Sequence, residues 1–157
     1  MATKVPPLIG WREWLSLPTL GVAGIKAKID TGARTSALHA INIELFKQDR
    51  VAWVRFWVQP SRKRSDIIFA CNAPLLEQRM VRDSGGHLEL RYVIVTPIRL
   101  GTQEWPIELT LTLRDAMLFR MLLGRNAIRN HFLVNPAASY LASDRLALST
   151  IYPKVIV

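Results

Sequence analysis

The 157 residues are of single-domain length and half of them are hydrophobic, enough for one substantial core. Lys and Arg number 21 against 12 Asp and Glu, a formal charge of +9, which favours an acidic partner (nucleic acid, an anionic membrane face or an acidic peptide) without choosing among them. The single cysteine, Cys71, excludes an internal disulfide and fits a reducing compartment with a buried, inert thiol, and no run approaches the ~20 apolar residues needed to cross a bilayer.

Met1-Ala2-Thr3-Lys4-Val5-Pro6-Pro7 lacks the apolar stretch of a signal peptide, so a cytoplasmic location with no membrane partner is expected. Downstream, short apolar-alternating runs bounded by turn residues predict strands over 25–29, 51–58, 67–71, 78–82, 88–95 and 107–113. That is an all-β pattern in one domain spanning 1–157. The first run leads directly into Asp30-Thr31-Gly32-Ala33. Thr-Gly forces a tight turn there and leaves a carboxylate at the strand's tip, where it can activate water. Helical turns are predicted over 35–40 and 125–130. Trp53 and Trp57 fall in a strongly apolar strand and read as core, while Arg62-Lys63-Arg64-Ser65 reads as a solvated basic loop.

Ser84-Gly85-Gly86 separates the fourth and fifth runs and supplies the positive φ of a hairpin tip. Gly101-Thr102-Gln103-Glu104 marks a second hairpin. Leu122-Leu123-Gly124-Arg125 then places two bulky aliphatics before a glycine. The tail over 142–157 ends in the β-prone strip Tyr152-Pro153-Lys154-Val155-Ile156-Val157, which needs a pairing partner if it is not to aggregate.

Asp30-Thr31-Gly32-Ala33 together with Leu122-Leu123-Gly124-Arg125-Asn126 resembles the half-site of a retropepsin, where such a glycine strand braces the catalytic loop from below. Further segments narrow the resemblance: Ile9-Gly10-Trp11-Arg12-Glu13-Trp14, the run Lys26 to Ala40, Val81-Arg82-Asp83-Ser84-Gly85-Gly86, Glu89-Leu90-Arg91, and Leu111 to Arg125. Over about 9–140 the chain is similar to the bacterial retropepsin-like proteins called ATP-dependent zinc proteases, the RimB-like family associated with RimK-type glutamate ligases. Leu113 departs from that family's pattern, which has Asn or Asp before the Arg. The resemblance implies a retropepsin-like β-barrel with the 84–86 hairpin as its flap. With one Asp-Thr-Gly per chain it also implies a homodimer, because two carboxylates sharing one proton are what make one a base and the other an acid. The tail would then pair across the dimer or close its own barrel.

By the same resemblance Asp30 is catalytic, Thr31 anchors the loop through its hydroxyl, Gly32 lets backbone approach the carboxylate, and Ala33 docks substrate backbone. The flap residues Ser84, Gly85 and Gly86 would contact substrate. Arg34 is open to two uses, an acidic substrate side chain or an internal pair with Glu44 or Asp115. Arg91 and Arg114 are the better candidates for reading substrate carboxylates, since Arg forks suit them. Leu122, Leu123, Gly124 and Arg125 form the structural brace, with Arg125 expected in an ion-pair network. The competing reading of Asp30 is an Asx turn that merely caps its own loop.

His39, His87 and His131 stand at no recognised metal spacing, and no Gly-rich phosphate loop occurs, so neither zinc nor ATP is expected as a cofactor. A Ser84 nucleophile would need a positioned base that the sequence does not supply. The function implied is an aspartic peptidase trimming polyglutamate tails that a RimK-type ligase adds to a ribosomal protein, with the glutamylated protein, an acidic peptide or the ligase as partner. The alternative is a non-catalytic basic β-barrel that binds ribosomal protein, RNA or the ligase and regulates modification.

Overall fold

A computed structural model of the chain describes residues 5–83, 85–113, 118–143 and 148–152. In chain order its elements are β1 (Leu8–Ile9), β2 (Arg12–Leu17), β3 (Val22–Asp30), β4 (Ser36–His39), β5 (Ile41–Gln48), β6 (Val51–Val58), β7 (Phe69–Pro74), β8 (Glu77–Arg82), β9 (Leu88–Leu100), β10 (Gln103–Thr112), β11 (Met121–Gly124), α1 (Arg125–Ile128), β12 (Leu133–Val134) and α2 (Leu148–Ile151). The architecture is all-β with helices of a single turn, as the alternating runs predict.

Period-2 burial is the local cause. In β3, Val22, Ile25, Ala27 and Ile29 are buried while Lys28 is exposed, and the side chains therefore sort onto two faces. Strands pair in the order β10, β4, β11, β3, β2, β9. Because β9 also pairs antiparallel with β10, from Gln103↔Leu100 to Leu111↔Tyr92, these six strands close into a barrel, and closure removes the exposed edges of an open sheet. β8 is added outside the ring, on β9. The separate β5-β6-β7 sheet caps the barrel: its Val54, Phe56, Val58, Cys71 and Ala73 share one core with Leu17, Ile25, Leu38, Ile94, Leu109 and Leu123.

Three expectations change. Residues 35–40, expected as a helical turn, contain strand β4, all of whose residues are buried. It runs parallel to β10 and antiparallel to β11, and a strand enclosed on both faces has no alternation to display. Trp53 and Trp57 are half-exposed, since the core face of β6 is Val54, Phe56 and Val58. The run at 88–95 continues through the second hairpin's first arm to Leu100 as one strand, β9. At the head of the expected β-prone strip, the Tyr152 hydroxyl donates to the Gly24 carbonyl at 2.7 Å and accepts its N–H at 3.1 Å, while α2 lays Ile151 against Gly24. The strip beyond, 153–157, lies outside the described residues.

β1, β2, β5 and β12 extend the predicted set. β5 carries Ile41 and Ile43 in alternation, but a bulge between Ile41 and Glu44, with Asn42 at φ 52°, shifts the phase midway. α1 stops two residues short of the expected end, where Arg129 turns extended and Asn130 takes φ 69°.

Candidate active site

β3 and β11 run parallel from Met121↔Ala27 to Gly124↔Asp30, which delivers Asp30 to the tip of a strand held inside the barrel. Asp30 is half-buried. Its Oδ1 accepts the backbone N–H of Gly32 at 3.0 Å and of Ala33 at 3.2 Å, while Oδ2 receives no donor among the described residues. The cap expected of an Asx turn is therefore present, and it uses only one carboxylate oxygen. A cap that fixes one oxygen closes the turn and leaves the other oxygen with its lone pairs open.

From below, the Arg125 N–H donates to the Ala33 carbonyl at 2.7 Å and the Asn126 N–H to the Arg34 carbonyl at 3.0 Å. The Arg125 guanidinium donates to the Thr31 carbonyl at 2.9 Å. Arg125 is exposed and ties down the Asp30 loop, in place of the ion-pair network expected for it. Thr31 is likewise anchored through its carbonyl, and its side chain is exposed. The Gly124 N–H donates to Ser36 Oγ at 3.0 Å.

Direct cross-strand pairing identifies the rest of the face that carries Asp30. Arg12 lies opposite Lys28, Lys28 beside Leu122, Leu122 opposite Ala37, and Ala37 beside Thr110. Arg91, expected to face substrate, is instead almost fully buried: its Nε donates to Glu89 Oε2 at 3.0 Å and its Nη1 to Thr110 Oγ1 at 3.3 Å. Thr110 passes the connection on to the Ser36 carbonyl at 3.1 Å, and Thr112 also donates to Glu89. Burial forces the guanidinium to find an internal carboxylate, so Arg91 supports the strand behind the loop. Arg34 is exposed and makes no ion pair with Glu44. Ser84, Arg114 and Asp115 lie outside the described residues.

The β8–β9 hairpin extends beyond Thr112, the end of β10, because Leu88 to Arg91 pair only with β8. At its tip Gly86 takes a positive φ, 83°, and Gly85 does not. Asp83, to which the sequence assigns no role of its own, organises the tip: its Oδ1 accepts the His87 N–H at 2.9 Å and its carbonyl the Gly86 N–H at 3.0 Å. A second residue without an assigned role is Glu13, wholly buried, whose carboxylate accepts N–H groups from Gly10, Leu141, Ala142 and Ser143 and the Ser143 hydroxyl. All of its partners but Gly10 lie far along the chain, so only the fold reveals it.

Cys71 is buried with its Sγ donating to the Leu20 carbonyl at 3.4 Å, and burial pushes the thiol up to about 11. His131 stacks on Trp105 at 4.2 Å and pairs with Gln103, and His87 is exposed beside Asp83. Among the described residues no three His, Cys, Asp or Glu side chains gather as a ligand set.

The family described as "Retropepsin-like aspartic endopeptidase RimB" (RimB-like) matches residues 8–145. Proteins named probable alpha-L-glutamate ligase resemble the chain in Shewanella halifaxensis (47% identical over 133 residues, 85% of this chain and 29% of that protein) and Desulfotalea psychrophila (46% over 130 residues, 83% and 28%). One from Parasynechococcus marenigrum is 48% identical over 137 residues, 87% of this chain and 29% of its own length. The chain thus spans less than a third of these relatives. A crystal structure of a Legionella pneumophila protein of unknown function superposes with a TM-score of 0.75 at 27% identity, covering 87% of this chain and 98% of that one.

Proposed function

Because the chain belongs to the RimB-like family of retropepsin-like aspartic endopeptidases, we propose that it hydrolyses amide bonds with Asp30 and Asp30 of a second, two-fold-related copy as general base and general acid. The observation that carries this reading is the Asp30 carboxylate itself, held by two backbone N–H groups at 3.0 and 3.2 Å on a loop braced by Gly124 and Arg125. One carboxylate takes a proton from water as it attacks the carbonyl carbon. The other protonates the departing amine as the tetrahedral intermediate collapses, with no covalent enzyme intermediate. The β8–β9 hairpin serves as the flap that closes over bound peptide.

The substrate proposed is a glutamate tail of the kind a RimK-type ligase appends to a ribosomal protein in the cytoplasm. The relatives named as probable glutamate ligases contain a segment like this chain within a longer protein. A hydrolase working beside such a ligase would act on the same glutamyl amide bond, and a formal charge of +9 suits so acidic a substrate. The test is release of free glutamate from a peptide ending in a glutamate run. Asp30→Asn should lower that release at least ~100-fold, and equal release by both proteins refutes the reading.

The ligase names also favour a second reading, a basic module that holds a glutamylated tail without cutting it. Tight binding by the wild-type protein with no release of glutamate would support it.

A further inference from the structure

Lys26 and Lys28 alternate with the buried Ile25, Ala27 and Ile29, so both stand on the face of β3 that carries Asp30. Arg12 lies directly opposite Lys28 in the antiparallel β2–β3 register. Like charges in directly opposed positions are destabilising, yet neither cation has an acidic partner among the described residues.

Their two heads are held very differently. Arg12 is fixed, with Nε donating to Ser139 Oγ at 3.2 Å and its guanidinium over Trp11 at 4.7 Å and Tyr140 at 5.1 Å. Lys26 lies over the Trp14 ring at 5.5 Å. Lys28 is exposed, makes no hydrogen bond or ion pair with the described residues, and has apolar Leu122 on its other flank. The one carboxylate on its own strand is Asp30.

Along a strand, residues i and i+2 are about 6.6 Å apart, which is also the side-chain repeat of an extended peptide. A peptide whose scissile carbonyl meets Asp30 therefore brings the side chain flanking that bond to the Lys28 ammonium. Resting on the peptidase reading above, we propose that Lys28 is a specificity-determining residue, binding the side-chain carboxylate of the glutamate beside the scissile bond, with Arg12 and Lys26 prolonging the same anionic track. Lys28 is exposed and has no acidic partner among the described residues, so its ammonium is available to a substrate carboxylate without breaking an internal ion pair.

Two measurements test this. The first compares cleavage of paired peptides carrying Glu or Gln at the positions flanking the bond. Lys28→Met should reduce the Glu-over-Gln ratio of kcat/KM about ten- to hundredfold, the effect of losing one charge-assisted contact, and Lys28→Arg should restore most of it. A ratio left intact in Lys28→Met overturns the assignment. The second uses fluorescent hexaglutamate binding to the Asp30→Asn protein, where adding Lys28→Met should weaken affinity by a similar factor and an unchanged affinity overturns the proposal. Should the wild type cleave neither peptide, the peptidase reading falls, and hexaglutamate binding alone still decides the role of Lys28.

Discussion

Gly124 stands opposite Asp30 in the parallel register of β11 and β3, and a Cβ placed on it would lie 2.6 Å from the carbonyl carbon of Thr35 and 2.7 Å from its oxygen. Those are backbone atoms and cannot rotate away. The absence of a side chain at Gly124 therefore sets how closely the chain leaving the Asp30 loop packs on its brace.

Gly124→Ala should push β4 off β11 and carry the loop with it. The expected cost is ~1–3 kcal/mol of stability, typical of overpacking, with a larger loss of turnover, since ~1 Å of misplacement can cost about a hundredfold. Urea unfolding and glutamate release measure the two effects. An alanine variant that matches wild type in both would show that the brace does not position Asp30.

Glu13 clamps the 141–143 segment to the amino-terminal strands through a buried carboxylate serving five donors. Removing it strands several buried N–H groups, so Glu13→Ala should cost about 3–5 kcal/mol. Ser143→Ala removes one hydroxyl donor to Glu13 and the acceptor of the Trp14 N–H at 2.9 Å, and should cost less, about 1–3 kcal/mol. Comparable small losses from both changes would mean that the clamp is not a stabilising unit.

At the hairpin tip the two glycines should behave differently. Gly86 has φ 83°, costly for a β-branched residue, whereas Gly85 lies outside that region. Gly86→Val should lower turnover while the circular dichroism spectrum stays native, and Gly85→Ala should be milder. Normal turnover in Gly86→Val would remove the tip from the mechanism.

The alkaline limb of stability follows from two weak acids, the buried Cys71 and the half-buried Tyr152. Burial raises the Cys71 thiol from 9.0 to about 11, and burial likewise raises Tyr152, partly offset by its backbone hydrogen bonds to Gly24 and Ala23. Each holds its proton more tightly folded than unfolded, so this contribution is fully present below pH 9 and lost as pH climbs through about 11. Urea midpoints should fall across that window, less steeply in Cys71→Ala. Identical profiles for wild type and Cys71→Ala would exclude the thiol as a cause.

The sequence made legible what repeats or turns locally. Lys26 and Lys28 between buried aliphatics announced β3, Gly86 announced a hairpin, and Asp-Thr-Gly with Leu-Leu-Gly announced the loop and its brace. β4 stayed hidden because Ser36 to His39 are buried on both sides and carry no period. Arg91 looked like a substrate reader because its type suits carboxylates, yet whether a guanidinium is free depends on Glu89 and Thr110 closing around it. Glu13 was illegible for the same reason, four of its five donors lying about 130 residues on, in the 141–143 segment. The opposition of Arg12 and Lys28 is a matter of register, which neither strand specifies alone.

The central claim is that Asp30 works as one half of a pair, and the most direct measurement mixes wild-type protein with increasing Asp30→Asn protein at constant total concentration, after subunit exchange. If two copies share the catalytic proton, every heterodimer lacks one carboxylate, and glutamate release should fall as the square of the wild-type fraction. Activity that falls in simple proportion to the wild-type fraction would contradict the account and require a partner for Asp30 within its own chain.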